Sequence, residues 1–357
     1  KTIVALLSSL IAIDNDFQTC LIAPTEILAQ QHFSSINESL SKIDLNVKIL
    51  TGSTSKKDRV ILFEELKNGV VDLLIGTHAV LENNVIFKNL GFAIIDEQHR
   101  FGVAQRSKLW KKNLTPPHIL VMTATPIPRT LAMSVYGDLD ISIIDELPPG
   151  RKLVKTVHRT DRNRLEVFNF IRNEISKGRQ VYIVYPLIEE SKTMDYKDLM
   201  DGYESIVREF PIENYQISIL HGRMKPNDKA FEMERFKNGK TQIMVSTTVI
   251  EVGVNIPNAS VMIIESSERF GLSQLHQLRG RVGRGSESSF CILMSKNKLS
   301  NEARTRIKTM TSTNDGFKIS EVDMKLRGPG NLLGTQQSGL LNFKIADIIK
   351  DKDILEF

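Results

Sequence analysis

Two adjacent carboxylates follow a short apolar run near residue 95. The run Phe92–Ile95 is typical of a buried strand, and Asp96 and Glu97 come directly after it. Open α/β sheets carry their chemistry at the carboxyl ends of their strands. At such an edge Asp96 could hold a magnesium ion through its water shell, and Glu97 could deprotonate a water that attacks a γ-phosphate. An Asp-Glu pair after a strand is also a common helix cap, so other motifs must decide between the two interpretations.

The first two residues have the types that bind phosphate and magnesium. Lys1 and Thr2 precede the apolar helical run Ile3–Ile13 and match the end of the pattern G-x-x-x-x-G-K-[ST]. In that pattern the lysine reaches the β- and γ-phosphates of a nucleotide, and the hydroxyl ligates Mg²⁺. A Lys-Thr pair alone is not a specific motif. It indicates a nucleotide site here because the carboxylates Asp96 and Glu97 are expected on a neighbouring strand. We expect the glycines of this phosphate-binding loop to precede residue 1, so that the chain by itself binds nucleotide poorly.

A string of arginines and glycines, QLRGRVGRG at residues 277–285, is the most specific motif in the chain. Arg281 and Arg284 are three residues apart and would share one face of a helix, while the glycines would allow close approach to another surface. Arginines presented in this way can neutralise charge on a transferring γ-phosphoryl group, an effect worth roughly 10³–10⁵ in rate. The alternative is a solvated basic helix, which the glycine spacing disfavours.

Hydroxyl-bearing residues follow several other predicted strands. The candidate backbone contacts are Pro24, Thr25, Thr51, Gly52, Gly76, Thr77, Thr247 and Thr248. Hydroxyls and free N–H groups in loops suit phosphate, although each one alone is more often a helix cap. Several of them at one sheet edge predict a track for a sugar-phosphate chain. Thr123 and Thr125 follow the last strand of the first half, where they could bond the carboxylates or a nucleic-acid backbone.

Short apolar runs alternate with segments of helical periodicity, which predicts βαβ units and mostly parallel sheets. The predicted strands are Thr19–Ala23, Val47–Leu50, Val71–Ile75, Phe92–Ile95, Ile119–Met122, Gln180–Tyr185, Ile217–Leu220, Gln242–Val245, Ser260–Ile264 and Ser289–Met294. Predicted helices include Glu26–Leu40, Lys225–Lys237 and Asn301–Met310. The pattern indicates an α/β fold with two doubly wound lobes.

Two prolines and a glycine mark the predicted boundary between the lobes. Leu147–Gly150 can continue neither a helix nor a strand. We therefore predict a first lobe at 1–149 and a second at 150–297. A third segment at 298–357 begins with a helix and becomes glycine-rich, and we expect it to be incomplete at its C-terminal end.

Composition narrows the class of protein. Of the 357 residues, 41% are apolar and 25% charged, as in an ordinary globular protein, and the net charge of +5 is compatible with a polyanionic partner. The two cysteines, Cys20 and Cys291, lie in apolar runs, which indicates core packing in a reducing cytoplasm. No apolar stretch approaches the ~20 residues of a membrane span, and we expect no signal peptide. We therefore expect no membrane partner.

Six strings resemble those of superfamily-two helicases and, more closely, the RecG family of ATP-dependent DNA helicases. They are DEQHRFGVAQR at 96–106, MTATPIPRTLAM at 122–133, DELPPGR at 145–151, HGRMKP at 221–226, TTVIEVGVNIPNA at 247–259 and QLHQLRGRVGRG at 274–285. Transcription-repair coupling factors share DEQHRFGV and TATPIPRT, whereas DELPPGR and HGRMKP resemble the RecG family. The resemblance covers nearly the whole chain. The chain departs from the family's usual pattern at Asn255, where aspartate is common.

The resemblance implies two RecA-like P-loop NTPase lobes that bind ATP and Mg²⁺. By position, Lys1 and Thr2 would be the phosphate and magnesium ligands, and Asp96 and Glu97 the Walker B pair, with Asp96 also at the metal. The other implied nucleotide contacts and finger arginines are Gln277, Gly253, Arg281 and Arg284. Thr247 and Thr248 match a motif that couples DNA contact to the state of the nucleotide.

The third segment resembles the family's translocation motif, a helical hairpin followed by a loop that returns toward the DNA. On that alignment Arg306, Arg327 and Gln337 occupy the polar switch positions. Together with Thr123 and Thr125, they are the residues expected to couple hydrolysis to movement.

The implied function is ATP-driven helicase or translocase activity that remodels replication forks and Holliday junctions in recombination and repair. Branched DNA is the expected partner, and a single-strand-binding protein is a candidate partner. We expect a monomer in the bacterial cytoplasm or nucleoid. Two alternatives stay open: a double-strand DNA translocase of the transcription-repair coupling type, and a non-catalytic nucleic-acid-binding fragment. RNA unwinding is disfavoured by the family strings only, because hydroxyl spacing does not separate ribose from deoxyribose.

Overall fold

The computed structural model of the protein describes residues 1–97, 109, 112–113, 115–123, 140–144, 146, 152–186, 192–247, 256–283, 285 and 288–327. These residues fall into two compact units. The first unit contains the described residues up to 123, and the second contains those from 140 onward. The proposed boundary at 149/150 stays a prediction, because residues 147–151 lie outside the described ranges.

The first unit is a five-stranded parallel sheet in the order β2-β3-β1-β4-β5. Its strands are β1 Gln18–Ile22, β2 Val47–Leu50, β3 Leu73–Gly76, β4 Leu90–Asp96 and β5 His118–Met122. Its helices are α1 Thr2–Ile13, α2 Glu26–Ser39 and α3 Lys56–Asn68, with a 3₁₀ turn at His78–Leu81.

Helices cover both faces of this first sheet. Along β1 the buried residues alternate, so that Cys20 and Ile22 join one apolar cluster with α3. Leu21 belongs to the other cluster, which it forms with residues of α1 and α2. A parallel sheet whose two faces are both covered is built from nearly continuous apolar strands, which explains why apolar runs located these strands in the sequence.

The second unit is a six-stranded parallel sheet in the order β6-β11-β10-β7-β9-β8. Its strands are β6 Lys155–Thr160, β7 Gln180–Tyr185, β8 Ile217–Leu220, β9 Ile243–Thr247, β10 Ala259–Ile264 and β11 Phe290–Ser295. Its helices are α4 Arg164–Ser176, α5 Lys192–Glu209, α6 Pro226–Lys237, α7 Leu272–Arg279, α8 Asn301–Ser312 and α9 Gly316–Arg327. Single 3₁₀ turns lie at Asp161–Asn163 and Ser267–Arg269.

The predicted α/β class with two parallel sheets is confirmed, and all ten predicted strands form with small shifts at their ends. The sequence analysis missed β6. This strand pairs with β11 at one edge of the described sheet, and Val157 is its only large aliphatic residue. A partly exposed edge strand needs no continuous apolar run, so it gave no periodic signal.

The segment after β11 forms the helical part of the predicted hairpin. Ser300 caps the start of helix α8, because its Oγ accepts a hydrogen bond from the backbone N–H of Ala303. Helix α9 packs against both α7 and α8. The loop predicted to follow α9 falls at residues 328–357, outside the described part of the chain.

Both cysteines lie fully buried in the core, as predicted. Burial raises the pKa of the Cys20 and Cys291 thiols to about 12, which leaves them protonated at neutral pH. Among the helices that the structure describes, none has the length and apolar character needed to cross a membrane.

Candidate functional site

Asp96 is the last residue of β4, so its carboxylate lies at the carboxyl edge of the first sheet. Glu97 follows with a φ of 53°, in the left-handed region that side chains other than glycine rarely adopt. The backbone N–H of Glu97 donates a hydrogen bond to Asp96 Oδ1 at 3.1 Å. Strained residues of this kind cost about 1–3 kcal/mol and are concentrated at functional sites. The conformation turns the chain sharply at the point where the two carboxylates were predicted to act.

The second oxygen of Asp96 contacts a histidine that the sequence analysis did not single out. His32 Nε2 lies 2.9 Å from Asp96 Oδ2, and both side chains are largely buried. Burial alone would raise the pKa of the Asp96 carboxyl. The hydrogen bond and charge of His32, the charge of Lys1 and the N–H of Glu97 outweigh burial and lower this pKa below its ordinary value. Asp96 is therefore an anion at neutral pH.

Lys1 and Thr2 lie at the start of α1, with Lys1 as the residue that precedes the helix. The positive charge of Lys1 helps to lower the pKa of the Asp96 carboxyl. The described residues contain no group of three or more His, Cys, Asp or Glu side chains that could cage a metal. The single ionised carboxylate of Asp96 instead fits Mg²⁺, which usually keeps water and substrate-phosphate ligands.

The predicted backbone-binding residues of the first unit follow β1, β2 and β3, at the same sheet edge as Asp96. Thr25 caps α2 by accepting a hydrogen bond from Leu28 N, and Thr51 Oγ1 pairs with Ser53 Oγ at 2.9 Å. Pro24 and Gly52 lie beside them in the same loops. These local bonds account for the loop shapes, and nucleic-acid contact by these residues stays a prediction.

Gly76 and Thr77 have surroundings that differ from those of the other loop residues. A Cβ on Gly76, the last residue of β3, would lie 2.2 Å from the carbonyl oxygen of Leu50, so close strand packing already requires glycine there. Thr77 is buried, and its Oγ1 has no hydrogen-bond partner among the described atoms. Thr123 directly follows β5.

In the second unit, Thr247 ends β9 and is buried. Gln277 lies on α7, and Arg281 is half-buried just beyond that helix.

The expectation that Arg281 and Arg284 share a helix face is wrong for Arg281. Helix α7 ends at Arg279, two residues before Arg281, and Gly283 beyond it takes a left-handed φ of 78°. Six predicted site residues lie outside the described ranges: Thr125, Thr248, Gly253, Arg284, Gln337 and, for its side chain, Arg327.

Arg279 has a role that the sequence analysis missed. Its side chain is only 3% exposed, and Nη1 donates to the carbonyl oxygens of Met310 at 3.0 Å and Thr313 at 2.8 Å. Nη2 lies 3.1 Å from His276 Nδ1. Burial and the charge of Arg279 lower the pKa of His276 to about 4, so this imidazole is neutral and can accept the bond. Arg279 thus binds the C-terminal carbonyls of α8.

Two further contacts join the hairpin to the segment around α7. Arg306 of α8 donates from Nη2 to the carbonyl oxygen of Glu268 at 3.0 Å. Ser273 Oγ of α7 donates to Asp323 Oδ2 of α9 at 2.8 Å, and Asp323 is buried. Both helices of the hairpin are therefore tied by polar contacts to the residues next to the arginine motif.

Comparisons with known proteins define the class. The DEAD/DEAH box helicase family matches residues 1–134, and the helicase conserved C-terminal domain matches 165–286. The structure of the S. cerevisiae protein Dbp5 bound to RNA matches with a TM-score of 0.62 at 15% sequence identity. The match covers 91% of this chain and 86% of that one. At so low an identity, the similarity shows the fold alone. The chain is thus a pair of RecA-like helicase lobes.

Closer matches define the family. The RecG protein of Synechocystis sp. is 49% identical, over 99% of this chain and 42% of its own length. The RecG protein of Bacillus subtilis is 47% identical, over 100% of this chain and 52% of its own length. A structure of RecG bound to a three-way DNA junction has a TM-score of 0.78 at 44% identity, over 99% of this chain and 46% of that one. Residues 313–357 match the C-terminal part of RecG domain 3. The chain belongs to the RecG family of ATP-dependent DNA helicases. It spans about half the length of the curated relatives it matches.

Replacing Arg279 with methionine should loosen the hairpin. The variant leaves the last carbonyls of α8 without their buried donor, so the free energy of unfolding should fall by about 2–4 kcal/mol. Limited proteolysis should cleave earlier between α8 and α9. Arg304→Met, on the exposed face of α8, is the control and should match the parent in both measurements. Equal denaturation midpoints for the two variants would contradict the anchoring role.

Proposed function

We propose that this chain is the motor of an ATP-dependent DNA helicase that remodels branched DNA, with replication forks and Holliday junctions as substrates in recombination and repair. The observation that carries the proposal is the ionised Asp96 followed by Glu97 at the carboxyl edge of the first sheet. Similarity to relatives named as ATP-dependent DNA helicases supports it, as does the similarity to a RecG structure bound to a three-way junction.

The first unit would supply the hydrolytic chemistry. Lys1 would bind the phosphates, while Thr2 and Asp96 would hold Mg²⁺, Asp96 through water. Held there, Mg²⁺ would supply positive charge to offset the negative charge that develops on the phosphates during transfer. Glu97 would orient the attacking water and accept its proton. The left-handed turn at Glu97 supports this role, because it fixes the backbone from which the second carboxylate projects.

The second unit would supply positive charge and sense the nucleotide. We propose that Arg281 and Arg284 neutralise charge on the transferring phosphoryl group. Gln277 and Gly253 would contact the nucleotide. Thr247 and Thr248 would couple backbone contact to the nucleotide state. The Oγ1 of Thr247 is buried and has no hydrogen-bond partner among the residues that the structure describes, which supports a contact with a further group.

DNA would lie along the strand-end loops of the first unit. The assigned contacts are Pro24, Thr25, Thr51, Gly52, Gly76 and Thr77, continued by Thr247 and Thr248. Contacts of this type go to phosphate and sugar, so binding should depend strongly on salt and little on base sequence.

The hairpin would transmit motion of the motor to the DNA. Arg306, Arg327 and Gln337 are the assigned switch residues, with Thr123 and Thr125 on the first unit. The contacts of Arg279, Arg306 and Asp323 with their neighbours support this assignment, because they join the hairpin to the segment around the arginine motif.

The cofactors of the proposed reaction are ATP and Mg²⁺, and branched DNA is the macromolecular substrate. A single-strand-binding protein is a candidate partner, and we propose a monomer that acts in the bacterial cytoplasm or nucleoid. The match of residues 313–357 to the RecG C-terminal family favours this function over a double-strand translocase of the transcription-repair coupling type.

Glu97→Gln in the full-length protein that contains this chain should lower DNA-stimulated ATP turnover by about 10²-fold or more, because general-base catalysis typically contributes 10²–10⁴-fold. Binding of a fluorescent ATP analogue should persist. The exposed Glu64→Gln on α3 serves as a charge-matched control and should turn over ATP normally. Wild-type turnover by the Glu97 variant would reject this residue as the base.

Arg327→Ala in the same full-length protein should leave ATP hydrolysis largely intact but impair unwinding of a forked substrate, because the change removes the coupling and leaves the hydrolytic residues in place. Lys325→Ala, at an exposed position of α9, is the control. Parallel assays of phosphate release and strand separation make the comparison. Unimpaired unwinding by Arg327→Ala would defeat the coupling role.

A further inference from the structure

A polar contact joins α2 to β4 inside an otherwise apolar interface. His32 lies on the buried face of α2, one turn after Leu28 and one turn before Ile36, and both of these residues belong to the apolar core of the first unit. This spacing would accept a leucine at position 32. Instead the imidazole at this position contacts Asp96 at 2.9 Å.

Stability alone does not explain this pair. The side chains of His32 and Asp96 are 11% and 13% exposed, so both groups lose most of their hydration. Replacing a buried polar pair with well-packed apolar residues is often neutral or stabilising. What the contact does achieve is orientation, because His32 holds Oδ2 of the carboxylate while the N–H of Glu97 holds Oδ1. Partners of this kind around a metal-binding carboxylate fix its direction.

The first turn of the same helix is hydrogen-bonded to a strand-end loop. Glu26, the first residue of α2, accepts a hydrogen bond at Oε1 from the backbone N–H of Ser53 at 3.0 Å. From Glu26 to His32 the helix rises about 9 Å with no break. Helix α2 thus connects the loop after β2 to His32 through one continuous helical segment. That loop contains Thr51 and Gly52, two of the proposed backbone contacts.

We propose that His32 is a positioning residue for the magnesium-binding carboxylate of Asp96, and that α2 links the loop after β2 to that carboxylate. Occupation of the loop by a DNA backbone would then strengthen binding of magnesium and nucleotide at the sheet edge. This role rests on the proposed function, because it concerns the same magnesium site.

The test compares His32→Leu with His32→Gln in the full-length protein that contains this chain. Leucine suits the buried stripe but removes the hydrogen bond, whereas glutamine keeps an N–H donor at similar reach. The readout is binding of a fluorescent, non-hydrolysable ATP analogue as Mg²⁺ is titrated. His32→Leu should raise the half-saturating Mg²⁺ concentration by about 10–100-fold, the usual effect of losing such a partner. His32→Gln should restore most of the affinity.

Controls separate positioning from folding and from the proposed function itself. Ser34→Ala, on the exposed face of α2, should bind as the parent does. A Mg²⁺ titration of His32→Leu that superimposes on that of the wild type would overturn the positioning role. If His32→Leu does not fold, His32→Asn replaces it, since its shorter amide does not reach the carboxylate. Equal Mg²⁺ affinity for His32→Asn and His32→Gln then overturns the role. Nucleotide binding by the wild type without any need for Mg²⁺ would instead overturn the proposed function.

Glu26→Ala tests the link to the loop. A forked DNA should lower the half-saturating Mg²⁺ concentration of the wild type, and Glu26→Ala should abolish that shift while leaving the value without DNA unchanged. The reason is that this variant releases Ser53 but keeps the contact between His32 and Asp96. A full DNA-induced shift in Glu26→Ala would refute transmission through α2.

Discussion

An ionised carboxylate held at the end of a buried strand is the constraint on which the first unit depends. Burial opposes the charge of Asp96, and an unpaired buried carboxylate would simply take up a proton. His32, Lys1 and the N–H of Glu97 together keep it ionised. Each comes from a different place in the fold, namely α2, the start of α1 and the turn after β4. The fold therefore brings groups from three separate segments to act on one carboxylate.

A related constraint applies to the hairpin of the second unit. Arg279 is buried, and its shortest hydrogen bonds go to carbonyls at the end of α8 and to a neutral His276. Moving α8 away from α7 would leave a buried guanidinium group unpaired, which costs more than the loss of an apolar contact. The hairpin is consequently bound to the helix that precedes the arginine motif. This gives a physical reason why changes at that motif would reach the third segment.

The sequence predicted features that leave a local trace. Buried strands appear as apolar runs, and the carboxylates were located because they follow one of these runs. Strand β6 escaped because an edge strand needs little apolar character. His32 and Arg279 escaped because their partners lie far along the chain, at Asp96 and at Met310. The helix face proposed for Arg281 failed because α7 ends at Arg279, before Arg281, and arginine spacing alone does not reveal where a helix ends.

The residues that escaped share a recognisable property, which is a polar side chain on the buried face of an amphipathic helix. His32 and Arg279 each lie at a position that apolar periodicity would fill, as does Asp323 on α9. Apolar packing tolerates substitution of similar volume and small shifts of one helix against another. A hydrogen bond between buried groups is lost after a shift of little more than an ångström. Such residues therefore fix the register of their helices, and in this chain they do so next to the predicted carboxylates and the predicted arginines.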